Sequence, residues 1–312
     1  MKNIKYILVL AVALLQVSCQ TNPFERLEEG GWNNERSIID IKFENQVGKP
    51  VITRIDDNTG TINVTINVSE IPDLSNIKLN SIQTSYEAEK SIAVGDALNF
   101  ENASNSATIS VTSPTGKTRE YTIIASEFTE TLLGTYDINN LVIYGGTGPE
   151  YGGGAIMAHT DKPWIWPEVG GPAAELDNVL TFEMEGITEE GNTFGTVVND
   201  AGEDGLYADF TFIGDPVTDV NHFYRKIPEG ESTWARNYTT GLVTFTFPDG
   251  STASGSIEGS GTVDLGDGQS KTIEDQAFAF TLNGTDDWDK IYSDYDKFVK
   301  KPRRYWIEVT KR

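Results

Sequence analysis

Two tryptophans flanked by prolines are the residues of this chain best suited to bind a ligand. The stretch Lys-Pro-Trp-Ile-Trp-Pro at 162–167 contains Trp164 and Trp166. Proline fixes its own φ and biases the preceding residue toward extended backbone, so both indoles are expected on the same side of a stiff, strand-like segment. Rigid exposed indoles suit the apolar faces of sugar rings. The alternative is a Trp pair that closes the open end of a β-sandwich.

A second group of aromatic and basic side chains lies between positions 221 and 238. Its rings would stack on sugars while its guanidinium groups donate hydrogen bonds to hydroxyls or uronate carboxylates. The alternative is a polar hairpin whose arginines pair with the many acids of the chain. Together the two groups give the predicted glycan-binding residues, which are Trp164, Trp166, Trp234, Tyr238, Arg225 and Arg236.

Few residues point to catalysis. The sequence has no Gly-x-Ser-x-Gly elbow, no His-Glu-x-x-His motif and no phosphate-binding loop. A histidine base with a tyrosine acid is a pairing used by polysaccharide lyases, in which Arg225 would neutralise a uronate. The candidates for that pairing are His159 or His222 with Tyr224 or Tyr207. We therefore expect no enzymatic activity and keep a lyase or hydrolase as the lesser alternative.

Two acid-rich turns, at 199–205 and 264–268, place oxygen ligands close together. Neither matches the EF-hand loop, because Thr211 stands where the twelfth-position Glu is needed when counting from Asp200. We interpret both as hairpin turns and expect no metal site and no cofactor, with calcium as the alternative.

Strands must position these residues, because residues 129–312 alternate apolar and polar side chains with period two. The strand candidates are 135–144, 179–184, 193–198, 207–213, 242–247, 252–257, 277–282 and 305–309. This many strands predicts an antiparallel β-sandwich or jelly roll. The alternative is a lipocalin-like barrel, since Leu133-Gly134-Thr135-Tyr136 resembles the Gly-x-Trp start of such barrels. The long segment at 145–176 argues against a lipocalin-like barrel, in which successive strands are joined by short, regularly spaced hairpins.

One segment departs from the strand pattern. Acids at Asp286 and Asp287, apolar residues spaced by three and four, and then Lys300-Lys301-Pro302 predict one short amphipathic helix near the C-terminus. Its aromatic face, which begins at Trp288, is expected to pack in the core.

Residues 36–128 show the same alternation in shorter strands, with turn residues at 57–60 and 113–116. The order of Ile-Asp-Ile-Lys-Phe at 39–43, Ile-Pro-Asp-Leu at 71–74, Asn-Phe at 99–100 and Tyr-Thr-Ile at 121–123 resembles the Ig-like repeats of polysaccharide-utilisation lipoproteins. The resemblance implies an Ig-like β-sandwich that acts as a spacer.

The N-terminus is laid out for export. Residues 1–18 contain two lysines, an apolar run too short for a membrane span, and Ser18 directly before Cys19, the only cysteine. A small residue before a lone cysteine resembles the lipobox of bacterial lipoproteins, with Gln16 in place of the usual Leu, and implies lipidation at Cys19. The alternative is an ordinary signal peptide and a free thiol. Residues 19–35 are polar and are expected to form a flexible tether.

The chain is strongly acidic, with 24 basic and 47 acidic residues and a net charge of −23. Phosphate backbones and anionic headgroups would repel it, so nucleic acid is excluded as a partner and the only expected membrane contact is the lipid anchor.

The layout as a whole resembles surface glycan-binding lipoproteins of the starch-utilisation-system type, in which an N-terminal Ig-like module precedes a distal β domain. The resemblance implies a protein on the outer membrane of a Gram-negative bacterium, facing the exterior. It also implies capture of a polysaccharide or oligosaccharide for uptake, with an outer-membrane transporter complex as a further partner. The competing class is a structural or adhesive surface protein that binds another protein through the same aromatics.

Overall fold

The computed structural model describes residues 33–68 and 73–312 of the chain. The expected signal peptide, Cys19 and most of the expected tether lie outside the described residues, as do Ile71 and Pro72. The chain divides into two compact units, Met1–Thr129 and Glu130–Arg312. Both units consist of β-strands with a few short helical turns, which confirms the expected all-β class.

The first unit is a sandwich of two sheets. Its strands are β1 (Ile38–Phe43), β2 (Gln46–Arg54), β3 (Thr59–Asn67), β4 (Ile77–Thr84), β5 (Glu89–Lys90), β6 (Ala97–Leu98), β7 (Ser106–Thr112) and β8 (Thr118–Phe128). The smaller sheet has the order β1-β4-β6, and the larger has the order β2-β3-β8-β7-β5 with β3 and β8 parallel. Inward side chains from both sheets form one core that includes Phe43, Ile62, Phe100 and Tyr121.

The pairing of β1 differs in detail from the sequence pattern. Ile41 and Phe43 are buried as expected, but Ile39 is exposed and Ile38 takes the inward position. A register shift between Ile38 and Asp40 causes this change, because one extra residue in a strand moves the next side chain to the other face.

The second unit is a closed, eight-stranded antiparallel barrel. Its strands are β9 (Gly134–Gly145), β11 (Val179–Ile187), β12 (Thr193–Asp200), β15 (Gly230–Arg236), β16 (Leu242–Thr246), β17 (Thr252–Gly266), β18 (Gln269–Thr281) and β19 (Pro302–Lys311). Each strand pairs with the next in chain order, and β19 pairs back onto β9 from Pro302↔Gly145 to Lys311↔Tyr136. A further strand, β10 (Ala155–Ala158), pairs with the end of β9.

The barrel corrects the preferred expectation of a sandwich or jelly roll and matches the alternative. The long segment between β9 and β11 does not break the strand order, because it leaves and returns at one end while β9 still pairs with β11. One predicted strand was wrong and one barrel strand was not predicted. Residues 230–236 form barrel strand β15, whereas 207–213 lies in a connection and contributes only the short β13 (Thr211–Phe212), which pairs with β14 (Thr218–Asp219).

Strands β18, β19 and β9 are adjacent in the barrel, and each of them carries buried apolar side chains on both faces. Phe278 of β18 and Tyr305 of β19 point into the interior, while their neighbours Ala277 and Trp306 belong to a second core outside the barrel. The outer parts of β17 and β18 supply Ile273 and other apolar residues to this second core. The Trp306 indole also donates to Glu258 of β17 (3.2 Å), so the hairpin covers the outer wall.

The expected amphipathic helix is reduced to a short turn. Residues Asp296–Lys300 form a single π-helical turn, and Phe298 and Val299 are buried there. Trp288 and Tyr292 lie on irregular backbone before it and are exposed, so the aromatic stripe is not one core face. The other short helical segments are α1 (Asn221–Tyr224) and 3-10 turns at Pro149–Tyr151, His159–Asp161, Pro163–Ile165 and Pro172–Glu175.

The covered outer wall yields a stability prediction. Trp306→Ala should lower the free energy of unfolding by about 3–5 kcal/mol, because it removes a buried indole from the second core. Trp164→Ala, at an exposed position, should change it by less than about 0.5 kcal/mol. Urea denaturation measures both, and equal small effects would mean that the hairpin does not cover Trp306.

Candidate functional site

Three long connections leave the barrel at the same end, which we call the loop end. They are residues 146–178, 201–229 and 282–301, and they join β9 to β11, β12 to β15 and β18 to β19. Alternate connections of an up-and-down barrel share an end, so the short β11–β12 and β15–β16 turns lie at the opposite end. Binding residues concentrate on loops held by a rigid scaffold, which makes the loop end the first place to look for a site.

Aromatic side chains fill the barrel interior. Tyr136, Phe182, Phe245 and Phe278 pack together with ring centroids 5.6–6.3 Å apart. At the loop end, Phe210, Tyr224 and Phe298 from the connections continue the same core. The interior is therefore filled with side chains, and the loop end is the part of the barrel left to search for a ligand site.

The paired indoles of the sequence point in different directions. Trp164 is 65% exposed, whereas Trp166 is 2% exposed and donates its indole N–H to the carbonyl of His159 (3.1 Å). Pro163–Ile165 is a 3-10 turn instead of a strand, so side chains two residues apart do not share a face. Trp164 therefore remains a candidate stacking contact, whereas Trp166 belongs to the core and contributes only a buried part of the lining of the loop-end groove.

Trp234 is also a core residue. It points into the interior from β15, next to Phe182, and its indole donates to the carbonyls of Thr196 (2.9 Å) and Glu183 (3.1 Å). Among residues 231–235, only Trp234 is buried. The polar residues that precede it at 231–233 hid this strand in the sequence.

Arg225 is held within the loop end. Its guanidinium forms an ion pair with Glu175 and donates to the carbonyl of Ala208, and a second carboxylate, Glu229, lies 3.5 Å away. The side chain is largely buried and ties the connection at 201–229 to the one at 146–178. This corrects the expectation that Arg225 pairs with a uronate.

Arg236 and Tyr238 lie at the opposite end of the barrel, around the buried carboxylate of Glu130. Arg236 donates to Oε1 (2.6 Å), Thr193 donates to Oε2 (2.6 Å), and Tyr238 also donates to Oε2. Burial acts to raise the pKa of Glu130, but these hydrogen bonds, the Leu132 N–H and the Arg236 charge lower it overall. The six predicted residues thus form no single site.

The pairing proposed for a lyase is not available to a substrate. His159 is fully buried among five aromatic rings, including Tyr224 at 4.6 Å and Trp166 at 5.3 Å. The Tyr224 hydroxyl donates to the carbonyl of Phe298 (2.6 Å), and Tyr207 donates to Asn199 (2.8 Å). Burial lowers the pKa of His159 to about 3, so the ring is neutral.

An open groove of about 930 Å³ lies at the loop end between the connections at 146–178 and 201–229. Its apolar wall exposes Trp164, Val169, Leu206 and Ile213. Prolines and glycines at 163–172 supply much of the remaining lining, and the three prolines restrict the backbone there. The charged residues of the lining are Glu168 and Asp204, and both are acidic.

A second exposed group, which we call the aromatic cluster, consists of Tyr151, Trp288 and Tyr292. The three side chains are 66%, 56% and 60% exposed. Tyr151 and Trp288 meet edge to face with centroids 6.0 Å apart, and the Tyr292 hydroxyl donates to the Tyr151 carbonyl (3.1 Å). The sequence analysis missed this cluster because the spacing of 288–299 predicted a helix. The tight Gly-rich turn at 145–154 was the available signal.

The acid-rich turns use their carboxylates for backbone hydrogen bonds. Asp264 accepts from the N–H of Gly266 (2.9 Å), Asp200 accepts from the N–H of Gly202 (3.0 Å), and Asp204 accepts from the N–H of Leu206 (2.8 Å). In residues 33–68 and 73–312, no three His, Cys, Asp or Glu side chains form a metal-binding group. In the same ranges, no helix is long and apolar enough to cross a membrane.

Comparison with known proteins gives little guidance. No family model matches the chain, and no curated protein matches it. The crystal structure of a Bacteroides fragilis protein, described as a candidate secreted protein, is similar over 31% of this chain and 98% of its own length. The identity is 15% and the TM-score is 0.23. A likeness at this level does not establish a shared fold or function.

The Glu130 centre predicts a structural role for Arg236. Arg236→Met should lower the free energy of unfolding by about 3 kcal/mol or more, since it leaves a buried carboxylate without its cation. Arg312 pairs with Asp137 at the surface, and Arg312→Met should cost less than about 1 kcal/mol. Equal costs in urea denaturation would show that the Glu130 centre is not a buried ion pair.

His159 predicts a specific acid sensitivity. The folded pKa of about 3 lies below the ordinary 6.5, so the stability due to the neutral ring is present above pH 6.5 and is lost as the pH falls toward 3. His159→Phe should therefore flatten the dependence of Tm on pH across this window. The second histidine, His222, is exposed, so His222→Phe serves as the control for introducing a phenylalanine outside the core. A parallel profile for His159→Phe would contradict the buried, neutral assignment.

Proposed function

We propose that this chain is an exported glycan-binding protein and that the loop end of its barrel is the binding surface. The observation that carries the proposal is the exposed indole of Trp164 on the wall of an open groove. The face of a sugar ring is apolar, and a rigid indole contacts it at little entropic cost. The aromatic residues of the barrel interior are packed against one another and cannot stack on a ligand, whereas Trp164 is exposed and accessible.

The concave shape favours a glycan over a protein partner. A volume of about 930 Å³ falls within the range of small-ligand sites, whereas protein interfaces use broader surfaces. Glu168 and Asp204 at the groove can accept hydrogen bonds from sugar hydroxyls. The alternative is an adhesive role, in which the same residues bind another protein. The binding experiment below must distinguish this role from glycan binding.

The cellular setting belongs to the same proposal. The basic and apolar start of the chain and Cys19 support export and lipid attachment at the outer membrane. In this proposal the first unit acts as a spacer between the membrane and the second unit, and the captured glycan passes to a transporter complex. We expect Cys19→Ser to abolish incorporation of radiolabelled palmitate into the protein. Unchanged labelling would contradict a lipid anchor at Cys19.

Native affinity electrophoresis of the chain from Gln20 to Arg312, which keeps both units, tests the binding. The gels contain laminarin, amylose, xylan, mannan, alginate or polygalacturonate. We expect retardation in at least one gel, and Trp164→Ala should abolish most of it because it removes the stacking face. Tyr86→Ala, which removes an exposed ring from the first unit, is the matched control and should migrate as the parent does.

Absence of retardation in all six gels would contradict glycan binding. Retardation that Trp164→Ala leaves intact would contradict the groove as the site. Release of reducing ends or unsaturated products would show that the lesser alternative, an enzyme, is correct.

A further inference from the structure

We infer that the aromatic cluster is a second sugar-stacking subsite, which binds the same glycan chain as the Trp164 groove, and that this glycan is uncharged. The inference rests on the proposed function and names the ligand class and a subsite that extends it. Three observations carry it: a ring held in a fixed position, a physical link between the two surfaces, and the charges around both.

The Trp288 ring is held in place by backbone rather than by flexible side chains. A Cβ added to Gly148, which has φ 58°, would lie 3.0 Å from the ring, so the indole rests directly on this glycine. Buried Asp296 accepts from the N–H (2.6 Å) and hydroxyl (2.7 Å) of Thr147. The Thr147 hydroxyl in turn accepts from the N–H of Asp287 (2.8 Å). These bonds join the two segments that carry Tyr151 and Trp288, and a fixed ring binds with little loss of entropy.

Lys162 links the cluster to the groove. Its ammonium lies 5.3 Å from the centre of the Trp164 ring and 3.2 Å from the carboxylate of Asp294. Asp294 follows Tyr292 by two residues, so Trp164 and the cluster lie on neighbouring parts of the loop end. A linear ligand that stacks on both surfaces gains from the high effective concentration of its second contact.

Most basic groups near both surfaces are bonded to carboxylates or carbonyls of the protein, and Lys290, between Trp288 and Tyr292 in the chain, has its ammonium 4.1 Å from the centre of the Tyr295 ring. Lys162 pairs with Asp294, and Lys301 pairs with Asp286 (3.2 Å). Lys297 donates to the carbonyls of Tyr292 (2.6 Å) and Ser293 (3.2 Å). Since the groove contributes only acidic charges and the chain carries −23, a uronate polymer would be repelled. A neutral polymer avoids this repulsion.

The test uses isothermal titration with neutral oligosaccharides of about two and about eight units, prepared from whichever neutral polymer retards the chain. We expect the longer ligand to bind at least about tenfold more tightly. Trp288→Ala should weaken the longer ligand about tenfold and leave the shorter ligand, bound at Trp164, nearly unchanged. Alginate and polygalacturonate should not bind.

Two glycine variants separate ring position from backbone strain. Gly148→Ala should weaken the longer ligand as Trp288→Ala does, because the new methyl group displaces the ring. Gly152 also has a positive φ (81°), but a Cβ there meets nothing within 4 Å. Gly152→Ala therefore carries a comparable backbone strain without touching Trp288, and it should bind like the parent. Circular dichroism confirms the fold of each variant.

The outcomes distinguish the inference from the proposed function. If Trp164→Ala abolishes binding and Trp288→Ala does not weaken the longer ligand, the second subsite is wrong and the proposed function stands. Tighter binding of a uronate polymer than of any neutral polymer would overturn the ligand class. If no polymer binds and a protein partner is instead lost on Trp288→Ala, both the inference and the proposed function fail.

Discussion

The pairing of β19 with β9 is the constraint on which the rest of the second unit depends. It closes the barrel, so the backbone groups of both strands are paired and neither is left as an edge. Closure also directs the alternate side chains of every strand inward, where large rings such as Tyr136, Phe245 and Phe278 leave no room for a ligand. The proposed binding surface therefore lies on the connections, and the three long ones share one end.

The acidic composition shapes what those connections can bind. Several basic side chains of the second unit are committed to specific carboxylates, as with Arg225 and Glu175 at the loop end and Arg236 and Glu130 at the other end. Such pairs order the loops and the barrel end, but they withdraw positive charge from ligands. The exposed rings, Trp164 and Trp288 above all, are the groups through which the proposed function would act, and their acidic surroundings favour an uncharged glycan.

The sequence predicted the class of the fold and most strands, because period-two alternation is a local property of each strand. It predicted closure only as the alternative, since the contact between β9 and β19 joins residues more than 150 positions apart. The site was predicted only in part. Trp164 is exposed as expected, but the 3-10 turn at Pro163–Ile165 turns Trp166 inward. Trp234 was predicted to contact a glycan because strand β15 was not recognised. Trp288 was predicted to pack in the core because the spacing of 288–299 is helical, whereas its backbone is irregular.

The most direct test of the account is the indole N–H spectrum of the chain, with each signal assigned by a Trp→Phe variant. Addition of the neutral oligosaccharide that binds best should shift the signals of Trp164 and Trp288. The signals of Trp234 and Trp306, which do not line the groove, should stay in place, because these indoles are buried and bonded to protein oxygens. Shifts confined to the buried indoles, or no shift at Trp164, would contradict a binding surface on the loop end.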